Sequence, residues 1–299
     1  MSVGSSPSLS VVLAPAPGFG SGVDRVGGIG VAVCGADLAS IDSADRHGAW
    51  IEVLGEDEAC PTLRKGLAVA SRRGTLAVNS AGLGLGQAPR LDVRRLAWLL
   101  DLIDRFSPDG VCQRLRDRAV SEFEPDWLER NIDQVSLYLN RPIMIHAPHK
   151  LDRQEAGRLG DVVRRTGCRL RLSLGDMVVG EGLEIYSQPG RFEAFLDNFP
   201  AGAWGVVDLT GDVAAASEPS ATGSRDPGEA RRLMWSLYTA ALERLGALPT
   251  VVSWRGTRFD AAACTQVVRT ARTIGVCVSA NRERRPSSLR LAYPEELSA

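Results

Sequence analysis

The chain is 299 residues long, 44% apolar, and carries 35 basic against 36 acidic side chains for a formal net charge of −1. So even a balance gives no electrostatic reason to expect a nucleic-acid or anionic-membrane partner, and no apolar run is long enough to cross a bilayer. The six cysteines fall singly, without a C-x-x-C pair or zinc-ribbon spacing, which fits a reduced, cytoplasmic protein better than a disulfide framework.

Residues 1–27 are rich in Ser, Gly, Pro and Ala. Their one apolar piece, 9–14, is too short for a signal core and follows no basic segment, so a flexible N-terminal arm is expected. From Gly28 onward short apolar runs recur, at 28–33, 50–54, 75–79, 110–113, 142–146, 168–174, 204–208 and 250–254. Between several of them lie amphipathic segments of helical period. The stretch 90–105 places Leu91, Leu96, Leu99, Leu100 and Ile103 on one face. The stretch 125–139 does the same with Trp127, Leu128, Ile132, Val135 and Leu139, and 227–245 with Leu233, Met234, Leu237, Leu242 and Leu245 before a stop at Gly246. Strand runs alternating with such helices predict an α/β protein built as a single (β/α)8 TIM barrel over 28–280, with a C-terminal tail over 281–299. The polar, turn-rich stretch 214–228 is expected to be a loop at the end of strand seven, either a lid, a partner contact or a segment without a role. Arginines such as Arg94, Arg95, Arg164, Arg165, Arg231 and Arg232 are expected on solvated helix faces, and Cys168 and Cys277, inside apolar runs, as buried thiols.

A barrel of this kind carries its chemistry at the C-terminal ends of its strands. The side chains at or just past those ends are Glu52, Glu56, Asp57, Asn79, Gln113, Arg114, His146, Ser173, Asp176, Asp208, Asp212, Ser253 and Arg255. One reading is a rebuilt site, in which His146 and several carboxylates hold one divalent metal or act as acid and base. The other is that the acids pair with Arg114 and Arg255 in a polar barrel mouth. His146 and His149 are not on a helix, since Pro148 lies between them, so their spacing carries no metal signature. The glycines of 78–86 (VNSAGLGLG) lack both the Lys-Ser/Thr of a phosphate loop and the spacing of a dinucleotide turn, and read as a turn after strand three.

Seven segments also occur together in one order: GIGV (28–31), WIEVLGEDE (50–58), VNSAGLGLG (78–86), LNRPIMIHAPH (139–149), RTGCRLRLSLGD (165–176), VVDLTGD (206–212) and LPTVVSWR (248–255). In this the chain resembles the domain-of-unknown-function 692 family, which contains the iron-dependent oxidase of methanobactin biosynthesis and related peptide-modifying enzymes. The resemblance implies a TIM barrel that holds iron at its C-terminal face and oxidises cysteines of a ribosomally made peptide, commonly with a small partner protein that presents it. The implied iron ligands are His, Glu, Asp and Asn at strand ends. Where the second motif of the family has His-x-Glu-Asn, this chain has Leu54, Gly55, Glu56 and Asp57. Asn79-Ser80 stands for a His-Gly pair, Gln113-Arg114 for an acid and a His, and His146-Ala147 for Glu-Asn. Ser173 stands for an Asp and Gly175-Asp176 for an Asn pair. Asp208 and Asp212 stand for two His, Ser253 for a Glu and Arg255 for an Asp.

Three histidines in the whole chain (His47, His146, His149) cannot rebuild a His-rich cluster. Arg114 and Arg255 would put fixed positive charge where the family puts metal. The expectation is therefore a pseudoenzyme without metal or cofactor. It would bind or scaffold within a modified-peptide pathway, with a precursor peptide and a peptide-presenting protein as partners. The alternative is a metal-dependent oxidoreductase, or another barrel enzyme with a rebuilt site, in which iron would sit on His146, Asp176 and Asp208.

Overall fold

A computed structural model of the protein describes residues 28–34, 50–55, 64, 67–68, 71, 76–81, 83–86, 88–115, 124–140, 143–148, 151–178, 181–200, 202–211, 227–254 and 259–284. Eight strands close a barrel in sequence order, each parallel to the next: β1 (Ile29–Cys34), β2 (Trp50–Gly55), β3 (Leu76–Ala81), β4 (Gly110–Arg114), β5 (Met144–His146), β6 (Arg169–Ser173), β7 (Trp204–Thr210) and β8 (Thr250–Ser253). Each expected apolar run is a strand of this barrel. The described helices are α1 (Val93–Phe106), α2 (Pro125–Leu139), α3 (Arg153–Thr166), the short α4 (Leu174–Met177), α5 (Glu181–Tyr186), α6 (Arg191–Leu196), α7 (Pro227–Leu245) and α8 (Ala261–Arg284).

Local chemistry sets the helix ends. α1 begins at Val93 rather than at 90, because the Asp92 carboxylate accepts from the backbone N–H of Arg94 and Arg95 and so caps the first turn. α3 opens with a reciprocal capping box between Asp152 and Glu155. The loop after β3 turns through Gly84 at φ +66°. That loop is pinned by the buried Asn131 of α2, whose amide donates to the carbonyls of Leu85 and Ala88 at 2.7 and 3.0 Å. The glycine-rich stretch after strand three is thus a turn held by a helix.

Strand alternation splits the core into two layers. Val31, Val53, Val78, Val111, Ile145, Leu172, Val207 and Val252 face outward and pack with the helices in one continuous cluster. Ala32, Ala77, Cys112, Met144, Val206 and Val251 face inward and form a separate, smaller cluster inside the barrel. The inner residues are mostly small, which leaves space in the next layer for long polar side chains. One irregularity matters for that layer. Between β6 and β7, Leu170 pairs with Trp204 but Arg171 pairs with Val206, so Gly205 is an extra residue at this point. A Cβ on Gly205 would come within 3.0 Å of the Arg169 side chain and 3.1 Å of the Met144 methyl.

Arg94, Arg164, Arg165, Arg231 and Arg232 are exposed and Arg95 is half-buried, as the helix faces required. Cys168 is buried, but Cys277 is exposed: its apolar run lies on the outer side of α8, where Val276 is exposed as well. Among the described residues no helix is long and apolar enough to cross a membrane. The 1–27 arm, His47, His149 and the 212–226 part of the strand-seven loop lie outside the described residues. Pro227 and Gly228, shared by the expected loop and the expected helix over 227–245, both belong to α7, which spans the expected helix from end to end. α8 continues through the expected start of the tail to Arg284, beyond which no residue is described.

Candidate functional site

Above the small inner residues, strands β2, β3, β6 and β7 contribute a charged layer. Arg171 of β6 is fully buried at the centre of the barrel. Its Nη1 donates to both oxygens of Glu52 on β2, at 2.6 and 2.7 Å. Its Nε donates to Asp208 Oδ2 on β7 at 3.1 Å, and its Nη2 lies 3.0 Å from the same oxygen. Asn79 of β3 donates to Glu52 Oε1 at 3.2 Å, and Ser173 Oγ donates to Asp208 Oδ2 at 3.4 Å. Burial by itself would weaken the guanidinium's hold on its proton, but Asp208 and Glu52 outweigh it and raise Arg171 well above its ordinary value. Burial pushes the neighbouring Cys112 thiol up to about 12, against the opposing pull of Arg171. This thiol therefore stays protonated.

A second cluster lies one step nearer the C-terminal mouth. In register, His146 of β5 is flanked by Arg114 of β4 and Arg171 of β6. His146 Nε2 lies 3.2 Å from Asp176 Oδ2, and Arg114 Nη2 lies 3.9 Å from that same oxygen. Asp176 is carried there by α4, which follows β6 directly and packs on β7 so closely that a Cβ on Gly175 would sit 2.7 Å from Thr210 Cβ. His146 is buried, whereas the Arg114 side chain is 36% exposed and that of Asp176 22%. At the end of β8, the Trp254 indole packs edge-on to Phe259 and lies against Gly211, where a Cβ would come within 2.2 Å of its Cε3 and Cζ3.

The expected site residues thus divide. Glu52, Asn79, Ser173 and Asp208 meet in the lumen, and Arg114, His146 and Asp176 meet at the mouth. Ser253 turns its hydroxyl to the Leu209 carbonyl at 3.4 Å. Gln113 does not belong to either group. It follows the inward Cys112 and pairs in register with Ser80, so it points to the helix layer, where its fully buried amide has no hydrogen-bond partner among the described residues. Glu56, Asp57, Asp212 and Arg255 lie outside the described residues. Of the expected ion pairing, Arg114 does meet Asp176, but among the described residues the cation held by Glu52 and Asp208 is Arg171. Sequence reading passed over Arg171 although it lies inside the RTGCRLRLSLGD segment.

The chain is similar to the UPF0276 proteins. One from Caulobacter sp. (strain K31) is 28% identical over 234 residues, covering 70% of this chain and 82% of that one. Another from Bordetella pertussis is 26% identical over 211 residues, covering 64% and 72% respectively. No family model matches the chain. Among solved structures, a xylose isomerase-like TIM barrel/4-hydroxyphenylpyruvate dioxygenase fusion protein shares the fold at a TM-score of 0.52 and 12% identity, over 91% of this chain and 46% of that one. The likeness is one of architecture.

The iron implied by the family resemblance does not fit the residues in the lumen. Glu52 and Asp208, the two buried lumen carboxylates among the described residues, are already engaged by a guanidinium between them, and a guanidinium can neither ligate nor yield its proton. A metal placed there would have to displace the guanidinium from both carboxylates and leave it buried without them. Among the described residues no three His, Cys, Asp or Glu side chains come together as a metal-binding group. The lumen is arranged as a structural ion-pair network. The mouth offers a partly exposed guanidinium, an imidazole and a carboxylate, which suits recognition of an anionic or hydrogen-bonding ligand.

Proposed function

We propose that this protein is a binding or scaffolding pseudoenzyme: a cytoplasmic barrel, related to peptide-modifying iron oxidases, that no longer performs their oxidation. Its ligand is a peptide of a modified-peptide pathway, held at the C-terminal mouth with a peptide-presenting protein as partner. The observation that carries this reading is the buried Arg171 locked between Glu52 and Asp208, a guanidinium that occupies both lumen carboxylates and cannot give up its proton to make room for a metal. The mouth supports it as well, because the Arg114 side chain is 36% exposed there and its guanidinium is of the kind that pairs with an acidic side chain or a C-terminal carboxylate.

The pair formed by His146 and Asp176 favours a second reading, an enzyme with a rebuilt site. A carboxylate oxygen 3.2 Å from an imidazole nitrogen places a candidate acid and base side by side at the mouth. One experiment separates the two. The protein is purified from cells supplemented with iron, manganese and zinc, its metal content is measured, and binding of an acidic peptide is followed by calorimetry. The pseudoenzyme reading expects substoichiometric metal and peptide binding that weakens in Arg114→Ala. Stoichiometric iron that is lost in Asp208→Ala or His146→Ala would overturn it in favour of the enzyme.

A further inference from the structure

A cavity of about 220 Å³ lies at the opposite, N-terminal end of the barrel, between α7 and α8. It shares no residue with the lumen network or the mouth. Its floor is apolar and buried, formed by Ile29 at the start of β1, Tyr238 and Leu242 of α7, and Val278 of α8. The Tyr238 hydroxyl is engaged with Thr250 Oγ1 at 3.0 Å, so the ring offers the cavity only hydrocarbon. The space exists because α8 presents small residues, Ala271, Gly275 and Ser279, on successive turns facing α7. A Cβ built on Gly275 meets nothing within 4 Å.

The rim has the opposite character. Arg272, Arg282 and Glu283 line the opening, all on α8 and all exposed, with the two arginines ten residues apart along the helix. Arg282 is held at the edge by donating to the Leu242 carbonyl at 3.4 Å. An apolar chamber under a cationic rim selects a molecule with a hydrocarbon body and an anionic head. Size narrows the class further. An engineered cavity of about 150 Å³ accepts a benzene ring, so this chamber takes one ring, or a short alkyl chain, and a short acid arm.

We propose that this cavity is a binding site for a small apolar carboxylate, its body against Tyr238, Leu242 and Val278 and its carboxylate at Arg272, one turn from the open Gly275. The proposal is independent of the reading of the mouth. It is tested by titrating the full chain with 3-phenylpropionate, followed by calorimetry and ligand-observed NMR. The expected result is saturable binding of one molecule per chain. Gly275→Leu, whose side chain grows into the open space, should weaken it roughly tenfold or more, as should Arg272→Gln. The uncharged 3-phenylpropanol should bind roughly tenfold more weakly than the acid. Circular dichroism and a thermal melt establish that Gly275→Leu is folded, which a helical glycine replaced without a clash should be. Absence of saturable binding, undiminished binding in folded Gly275→Leu, or equal affinity for the alcohol would each overturn the proposal.

Discussion

Replacing Arg171 by methionine would keep the bulk of the side chain and remove the cation that holds Glu52 and Asp208. Both acids are almost wholly buried, at 2% and 1% exposure, so neither can recover its lost partner from solvent. Removing one member of a buried ion pair costs about 3–5 kcal/mol, and here one guanidinium serves two carboxylates, which puts the loss at the upper end. A domain of this kind has about 5–15 kcal/mol in total, so Arg171→Met should be severely destabilised near neutral pH. The variant should also acquire a characteristic pH dependence. An unpaired buried carboxylate has its folded pKa raised above the unfolded value, so the folded state binds more protons than the unfolded one. Stability then falls as pH rises through that raised pKa and returns on acidification. Urea denaturation followed by tryptophan fluorescence at pH 5.5 and pH 8 should show the variant more stable at the lower pH. The triple change Glu52→Gln, Arg171→Met, Asp208→Asn removes every charge together and should recover most of the loss. An Arg171→Met protein within about 1 kcal/mol of the wild type at pH 8, or a triple variant no better than the single one, would refute the reasoning.

Three smaller perturbations follow from the packing and the thiols. Gly211→Ala drives a methyl into the Trp254 indole at the barrel rim and should cost about 1–3 kcal/mol, read as a lowered thermal midpoint; an unchanged midpoint would show that the indole can move aside. Asp152→Ala removes the N-terminal cap of α3 and should cost about 1 kcal/mol in urea denaturation. Burial pushes the thiols of Cys112, Cys168 and Cys264 up to about 12, 11 and 12. Under native conditions at pH 8, peptide mapping after maleimide treatment should therefore find exposed Cys277 modified and these three protected until denaturant is added.

The barrel was legible because parallel strands covered on both faces read as continuous apolar runs, and each run became a strand within a few residues. Arg171 was not legible for a related reason. The sequence RLRLS of β6 alternates charged and apolar residues, a pattern that usually marks one solvated face. In a closed barrel the other face is the lumen, and only Arg169, at the open N-terminal end, reaches water. The usable signal was the combination of an acid inside WIEVLG, an arginine inside RLRLS and an acid inside WGVVDLT. Charges of opposite sign within runs that must be buried require each other. Gln113 failed for lack of register: counting from Gly110, its place one residue after the inward Cys112 turns it outward, and composition alone does not say which parity faces the axis.

The two arginines at different depths separate what holds the barrel from what the barrel could hold. Arg171 has no exposed surface and its hydrogen bonds lie between strands distant in sequence, so it acts on the folding equilibrium. Arg114 is partly exposed and 3.9 Å from Asp176, a loose contact in a solvent-screened place. Pairs of that kind contribute about 0–1 kcal/mol, so Arg114→Ala should leave the urea midpoint nearly unchanged. If the mouth is the recognition surface, the same variant should weaken acidic-peptide binding severalfold, and the loss should shrink as salt is raised. The two variants would then show opposite signatures: Arg171→Met large in stability, Arg114→Ala small in stability and large in binding. An Arg114→Ala protein that binds as well as the wild type would remove the mouth guanidinium from the recognition surface, while leaving the lumen network untouched.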